Sequence, residues 1–122
     1  MDKINLTNFA RTVQAIKNCI QSGNTEWEQK HQERLDSMCA NLPSGSGFDS
    51  GTKFLPEKSN PQKLVFSTSF HHMDDNGYYD GWTDHTITIT PEFGSFRVSI
   101  SGRNRRRIKD YIFDVFYDLF EV

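Results

Sequence analysis

Apolar residues recur along this chain with two different periods, and the change of period divides it. Leu6, Phe9, Ala10, Val13, Ile16 and Ile20 fall at helical spacing, which predicts a helix over 6–21 capped by Asn5. Gly23-Asn24 interrupts the pattern. Thr25-Glu26-Trp27-Glu28 then reads as a capping box opening a second helix over 26–41. Its stripe is Trp27, His31, Leu35, Met38 and Leu42, and so short a connection predicts an antiparallel pair. His31 on that stripe is expected to be a hydrogen-bonded histidine at the core edge.

From 42 to 62 the periodicity disappears. Leu42-Pro43-Ser44-Gly45-Ser46-Gly47-Phe48-Asp49-Ser50-Gly51-Thr52 predicts a loop pinned by Phe48, continued by the polar Glu57-Lys58-Ser59-Asn60-Pro61. Backbone amides around Ser46 and Gly47 form a candidate anion-binding nest. The lysine and threonine of a triphosphate-binding loop are missing.

Beyond 62 the period is two. Leu64, Phe66, Phe70 and His72 share one face of a strand over 63–72; His85, Ile87 and Ile89 alternate with Thr86, Thr88 and Thr90 over 85–90. Pro91-Glu92-Phe93-Gly94 turns the chain into a third strand with Phe96, Val98 and Ile100 inward. Ile108, Tyr111, Ile112, Val115, Phe116, Leu119 and Phe120 return to the helical period, with Asn104 as cap. The order ααβββα predicts an α+β two-layer sandwich, a three-stranded antiparallel meander covered by helices. One domain, 1–122, is expected: helical hairpin 6–41, Gly-rich loop 42–62, meander 63–102 and C-terminal helix 104–121.

A net charge of −2 excludes a strongly basic nucleic-acid binder in bulk and leaves room for a local patch. Cys19 and Cys39 lack metal-ligand spacing, and two thiols in different helices fit a reducing compartment. No apolar core of a secretory signal and no membrane-spanning stretch is present, so a cytoplasmic location is expected.

Chemistry concentrates in Phe70-His71-His72-Met73-Asp74-Asp75-Asn76-Gly77-Tyr78-Tyr79-Asp80-Gly81-Trp82-Thr83-Asp84-His85, which holds three of the four histidines. With the hairpin loop spanning 73–84, strand parity pairs His72 with His85 and Phe70 with Ile87. Two imidazoles with Asp80 as a third ligand make a candidate transition-metal set; a His/Asp/Tyr hydrogen-bond network is the alternative. A calcium loop fails, because His72 and Thr83 fall where Asp and Glu are required. Ser69 and Thr83 are near enough to serve as nucleophiles, but no catalytic spacing accompanies them.

The second concentration is Arg103-Asn104-Arg105-Arg106-Arg107-Ile108-Lys109, five of the fourteen cations at a helix start, where the dipole disfavours them. Arginines beside free helix amides suit phosphate or carboxylate. Salt bridges to the hairpin aspartates or to a partner subunit are the alternative use.

Three stretches, Leu42–Thr52, Phe70–His85 and Ile100–Tyr111, together resemble a family of small proteins carried by phages, plasmids and other mobile elements. The resemblance spans about 42–112 and implies a bacterial or phage-infected cytoplasm, and no reaction. The expected function is a non-enzymatic interaction module without a cofactor, binding a host protein or phosphate-bearing ligand. Its expected contacts are Ser46, Gly47, Tyr78, Tyr79, Asp80, Trp82, Arg103, Arg105, Arg106 and Arg107. Two other classes stay open. One is a metal-assisted hydrolase using a divalent transition metal on His72, His85 and Asp80. The other is nucleic-acid binding, with the arginines on phosphates and Tyr78, Tyr79 or Trp82 stacked on bases.

Overall fold

Helix α1, Leu6–Ser22, starts where Asn5 Oδ1 accepts from the Asn8 amide at 2.9 Å, and stops at Gly23 with φ of 73°. That left-handed residue, favourable only for glycine, lets the Asn24 amide reach the Cys19 carbonyl at 2.9 Å and turns the chain back. Helix α2, Thr25–Cys39, is capped one residue earlier than the capping box predicts: Asn24 Oδ1 accepts from the Trp27 amide at 3.2 Å. His31 also departs from expectation. It is half-buried, and its Nδ1 is shut from solvent with no hydrogen-bond partner among the described residues.

This computed structural model describes residues 3–45, 47–73 and 75–122, without the side chains of 49, 50, 72 and 73. Within it the chain is α+β: three α-helices, a four-stranded antiparallel sheet and a two-stranded parallel pair. Numbered along the chain, the strands are β1 (Ile4–Asn5), β2 (Phe48–Phe54), β3 (Leu64–Met73), β4 (Tyr79–Glu92), β5 (Ser95–Ser101) and β6 (Phe120–Glu121). The large sheet runs β2-β3-β4-β5, and β1 pairs with β6.

Two expectations are corrected. The stretch 42–62 is not all loop, for β2 occupies its centre and pairs with β3 through Phe48–Phe70, Thr52–Thr68 and Phe54–Phe66. An irregularity between Phe48 and Thr52, with Gly51 at φ of 77°, breaks the alternation that would have revealed the strand. The β3–β4 hairpin is also longer than expected, because β4 begins at Tyr79. Its register pairs Thr68 with His85, Phe66 with Ile87 and Phe70 with Thr83. For the described side chains the face assignment holds, and the register is displaced by four residues. A shift by an even number keeps every side chain on its face, so parity alone could not detect it.

The covered face carries Leu64, Phe66, Phe70, Ile87 and Ile89, all buried. Phe9 of α1 meets Phe66 at 5.7 Å between centroids and Phe54 edge-on at 4.9 Å. Helix α3, Arg106–Leu119, sets Phe116 against Phe66 at 6.3 Å. Each such ring removed from water contributes about 1.5–3 kcal/mol. On the opposite face Ser67, Ser69, Thr86, Thr88 and Thr90 are only half-buried. Cys19 and Cys39 are free thiols, and burial, with Asp36 adding, pushes Cys39 up to about 11. No helix among the described residues is long and apolar enough to cross a membrane.

Candidate functional site

Antiparallel order places the first residues of β2 and β4 and the last residues of β3 and β5 at one end of the sheet. The Gly-rich turn, the tip of the long hairpin and the start of α3 therefore meet there. Two glycines make the approach possible. Gly47, at φ of 106°, lies so close to Phe70 that a Cβ would come within 2.4 Å of its ring. Gly102, at φ of 109°, would place a Cβ 2.5 Å from the Asp84 carbonyl and 2.7 Å from His85 Nδ1. No other residue fits at either position without displacing backbone or ring.

His85 is the hub of this end. It is 2% exposed and lies 3.1 Å, through Nδ1, from the Ser101 carbonyl. A carbonyl only accepts, so Nδ1 carries the proton and Nε2 is left as acceptor. Thr83 Oγ1, 2.8 Å from Nε2, donates to it, and Asn104 Nδ2 donates to Thr83 Oγ1 at 2.7 Å while lying 3.3 Å from Nε2. Asn104 Oδ1 then accepts from the Arg105 amide at 2.8 Å. A continuous chain of donors and acceptors thus ties β5, β4 and the first turn of α3 together. Burial, the largest influence, lowers the His85 pKa, with Lys109 acting in the same direction against the Ser101 carbonyl and Asp84. Burial thus favours the neutral imidazole.

Asn104 is therefore not the helix cap that the sequence predicts. Arg105 occupies that position with no side-chain cap, because the Asn104 amide group is committed to Thr83 and His85. Four arginines follow from this anchor: Arg103, Arg105, Arg106 and Arg107 are all exposed. Arg106 Nε lies 3.9 Å from Asp110 Oδ2, with both side chains largely in solvent, a pair of little strength. Arg103, Arg105 and Arg107 form no ion pair among the described residues, so the alternative of salt bridges to the hairpin aspartates finds no support there. Asp74 lies outside the described residues. Tyr78, Tyr79 and Trp82 are 72%, 58% and 61% exposed, and Asp80 is exposed beside them. Tyr79 packs near His71 at 6.0 Å between centroids.

Among the described residues the expected metal set is not brought together. His85 faces Thr68 across the sheet instead of His72, and its two nitrogens are engaged by Ser101 and Thr83. Asp80 stands five residues along the same strand, roughly 16 Å at extended spacing. The His72 side chain lies outside the described residues. Among the described residues no three His, Cys, Asp or Glu side chains gather as a metal would require.

The nest expected around Ser46 and Gly47 lies partly outside the described residues, which omit Ser46. The Gly45 amide donates to the Phe48 carbonyl at 3.1 Å and the Phe48 amide returns to Gly45 at 2.9 Å, closing a tight turn whose end amides are spent. The Gly47 carbonyl accepts from the His71 amide at 2.9 Å. Thr83 appears in the sequence as a spare nucleophile and an unfit calcium-loop position, and neither Gly102 nor Ser101 is singled out there for a role at the site. The one signal pointing to them is a lone histidine at an inward position of an otherwise apolar strand face, which must find partners.

On the other face, Ser69 Oγ donates to Asp84 Oδ1 at 2.6 Å in a shallow depression shared with Lys53 and Ser67. No family model matches the chain, and no curated protein or solved structure matches it either.

Proposed function

We propose that this protein is a binding module, without a reaction of its own, that engages an acidic protein or phosphate-bearing ligand at the end of the sheet where α3 begins. The supporting observation is the convergence of an arginine-rich helix start with three exposed aromatic side chains on a scaffold fixed by Asn104, Thr83 and His85. Cations at that helix position oppose the dipole by about 0.3–1 kcal/mol each, so they weaken α3 and are better understood as facing a partner. Tyr and Trp beside Arg supply the rigid, amphipathic area that dominates binding energy at interfaces. In this reading the fold is a two-layer sandwich with its helices on one face, leaving this end open. The resemblance to mobile-element proteins makes a component of the bacterial cytoplasm the first partner to seek.

The test is capture from a bacterial lysate with wild-type protein and with an R103Q/R105Q/R107Q variant. Partners held by the wild type are expected to be lost by the triple variant and by W82A. Equal retention by the triple variant sinks the reading. If the retained material is single-stranded nucleic acid, log affinity should fall with log salt at about −0.7 per phosphate contact. That second reading is favoured by the aromatics beside the arginines.

A further inference from the structure

A second cationic surface lies on the helical hairpin, remote in sequence from α3. Arg11 of α1 and Arg34 of α2 line an open groove of about 650 Å³ together with Asn8, Thr12 and His31. Both arginines are exposed, and neither forms an ion pair among the described residues. The sequence explains this. Residues three and four positions from Arg11 are Thr7, Asn8, Gln14 and Ala15, and those from Arg34 are Lys30, His31, Ser37 and Met38. No carboxylate stands at a spacing where helical neighbours meet. Two of the four acids of α2 are engaged elsewhere, Glu26 with Lys30 at 3.7 Å and Asp36 accepting from Gln32 Nε2 at 2.9 Å, and neither Glu28 nor Glu33 lines the groove. Two full positive charges thus line one groove without a counter-charge, in a chain whose acids outnumber its bases 16 to 14.

His31 adds an imidazole to the lining, and its buried Nδ1 has no hydrogen-bond partner among the described residues. Trp27 holds the ring from one side, at 6.0 Å between centroids.

We propose that this groove binds inorganic phosphate or a small phosphate ester, separately from the site at the end of the sheet. A single carboxylate would leave one guanidinium uncompensated, and an apolar ligand would strip water from both. A phosphate dianion balances the two charges and accepts forked N–H pairs from each arginine. From Asn8 to Ala15 the groove runs along roughly 10 Å of α1, enough for a phosphate with a short organic group and too short for a polymer.

Amide NMR of the full chain, titrated with inorganic phosphate at fixed ionic strength, tests this, with acetate as the monoanion control. Saturable shifts are expected over 8–15 and 31–38, with acetate at least about tenfold weaker. R11Q and R34Q should each weaken phosphate binding by at least about tenfold, as loss of a charge-assisted bond requires. Their amide spectra report whether the fold persists. Saturable shifts confined to 102–109, an absence of saturation, or unchanged affinity in a folded R34Q would overturn the proposal.

Discussion

The base and the tip of the β3–β4 hairpin are built from the same two strands and held by different forces. At the base, Leu64 faces Ile89 and Phe66 faces Ile87, all fully buried, and register is fixed because any odd slip would drive these side chains into water. At the tip, Thr68 faces His85, Phe70 faces Thr83 and His71 faces Trp82. There, burial of Thr68, Phe70 and His85 is joined by a chain of hydrogen bonds that reaches across to β5 and α3. Burial is indifferent to pH and geometry-tolerant, while a hydrogen-bonded histidine is neither. The stable half of the hairpin is thus a foundation, and the half that presents the candidate site is the part that conditions can adjust.

The largest test of this contrast is at the base. Phe66→Ala should lower stability by about 3–5 kcal/mol in denaturant unfolding, since the ring touches α1, α3 and β2 together. At the tip, Gly102→Ala should lower it by about 1–3 kcal/mol, through strain at its positive φ and the clash with Asp84 and His85. Its amide shift changes should gather over 83–85 and 101–106 and leave the base silent. If they spread evenly, the two halves are not separate.

A milder test uses pH. His85 has its pKa lowered in the folded state, so the unfolded chain binds the extra proton first. Stability should be complete above the ordinary histidine value near 6.5 and should fall as pH drops from there toward the folded value. His85→Gln should flatten that slope; a slope that survives the substitution would assign it to other groups. The smallest expected effect has the opposite sign. Arg105→Gln should raise stability by about 0.3–1 kcal/mol, by removing a cation from the positive end of α3, while weakening partner capture.

The sequence made the base legible and the tip only half so. Alternation at Leu64, Phe66, Ile87 and Ile89 identified the buried face, because burial writes itself into the choice of side chain. The tip is specified by hydrogen bonds between residues far apart in the chain, Thr83 to Asn104 and His85 to Ser101, and such pairings leave no period. Asn104 looked like a cap because its type suits one, and tertiary partners claimed it. Strand β2 was hidden for a related reason: between Phe48 and Phe54 the chain reads Asp49-Ser50-Gly51-Thr52-Lys53, and an irregular, glycine-containing strand resembles a loop in composition. The concentration of exposed aromatics and arginines was visible from the outset. Their common location was not, since it depends on the order of four strands.

The short parallel pair of β1 with β6 has a consequence in time. Ile4 meets Phe120 across almost the whole length of the chain, and both are buried. Bringing such distant segments together carries a loop-closure entropy that the α1–α2 hairpin and the neighbouring strands avoid. Local pieces should therefore form before Ile4 and Phe120 find each other. Phe120, which completes the aromatic cluster around Phe66, should be among the last side chains to settle.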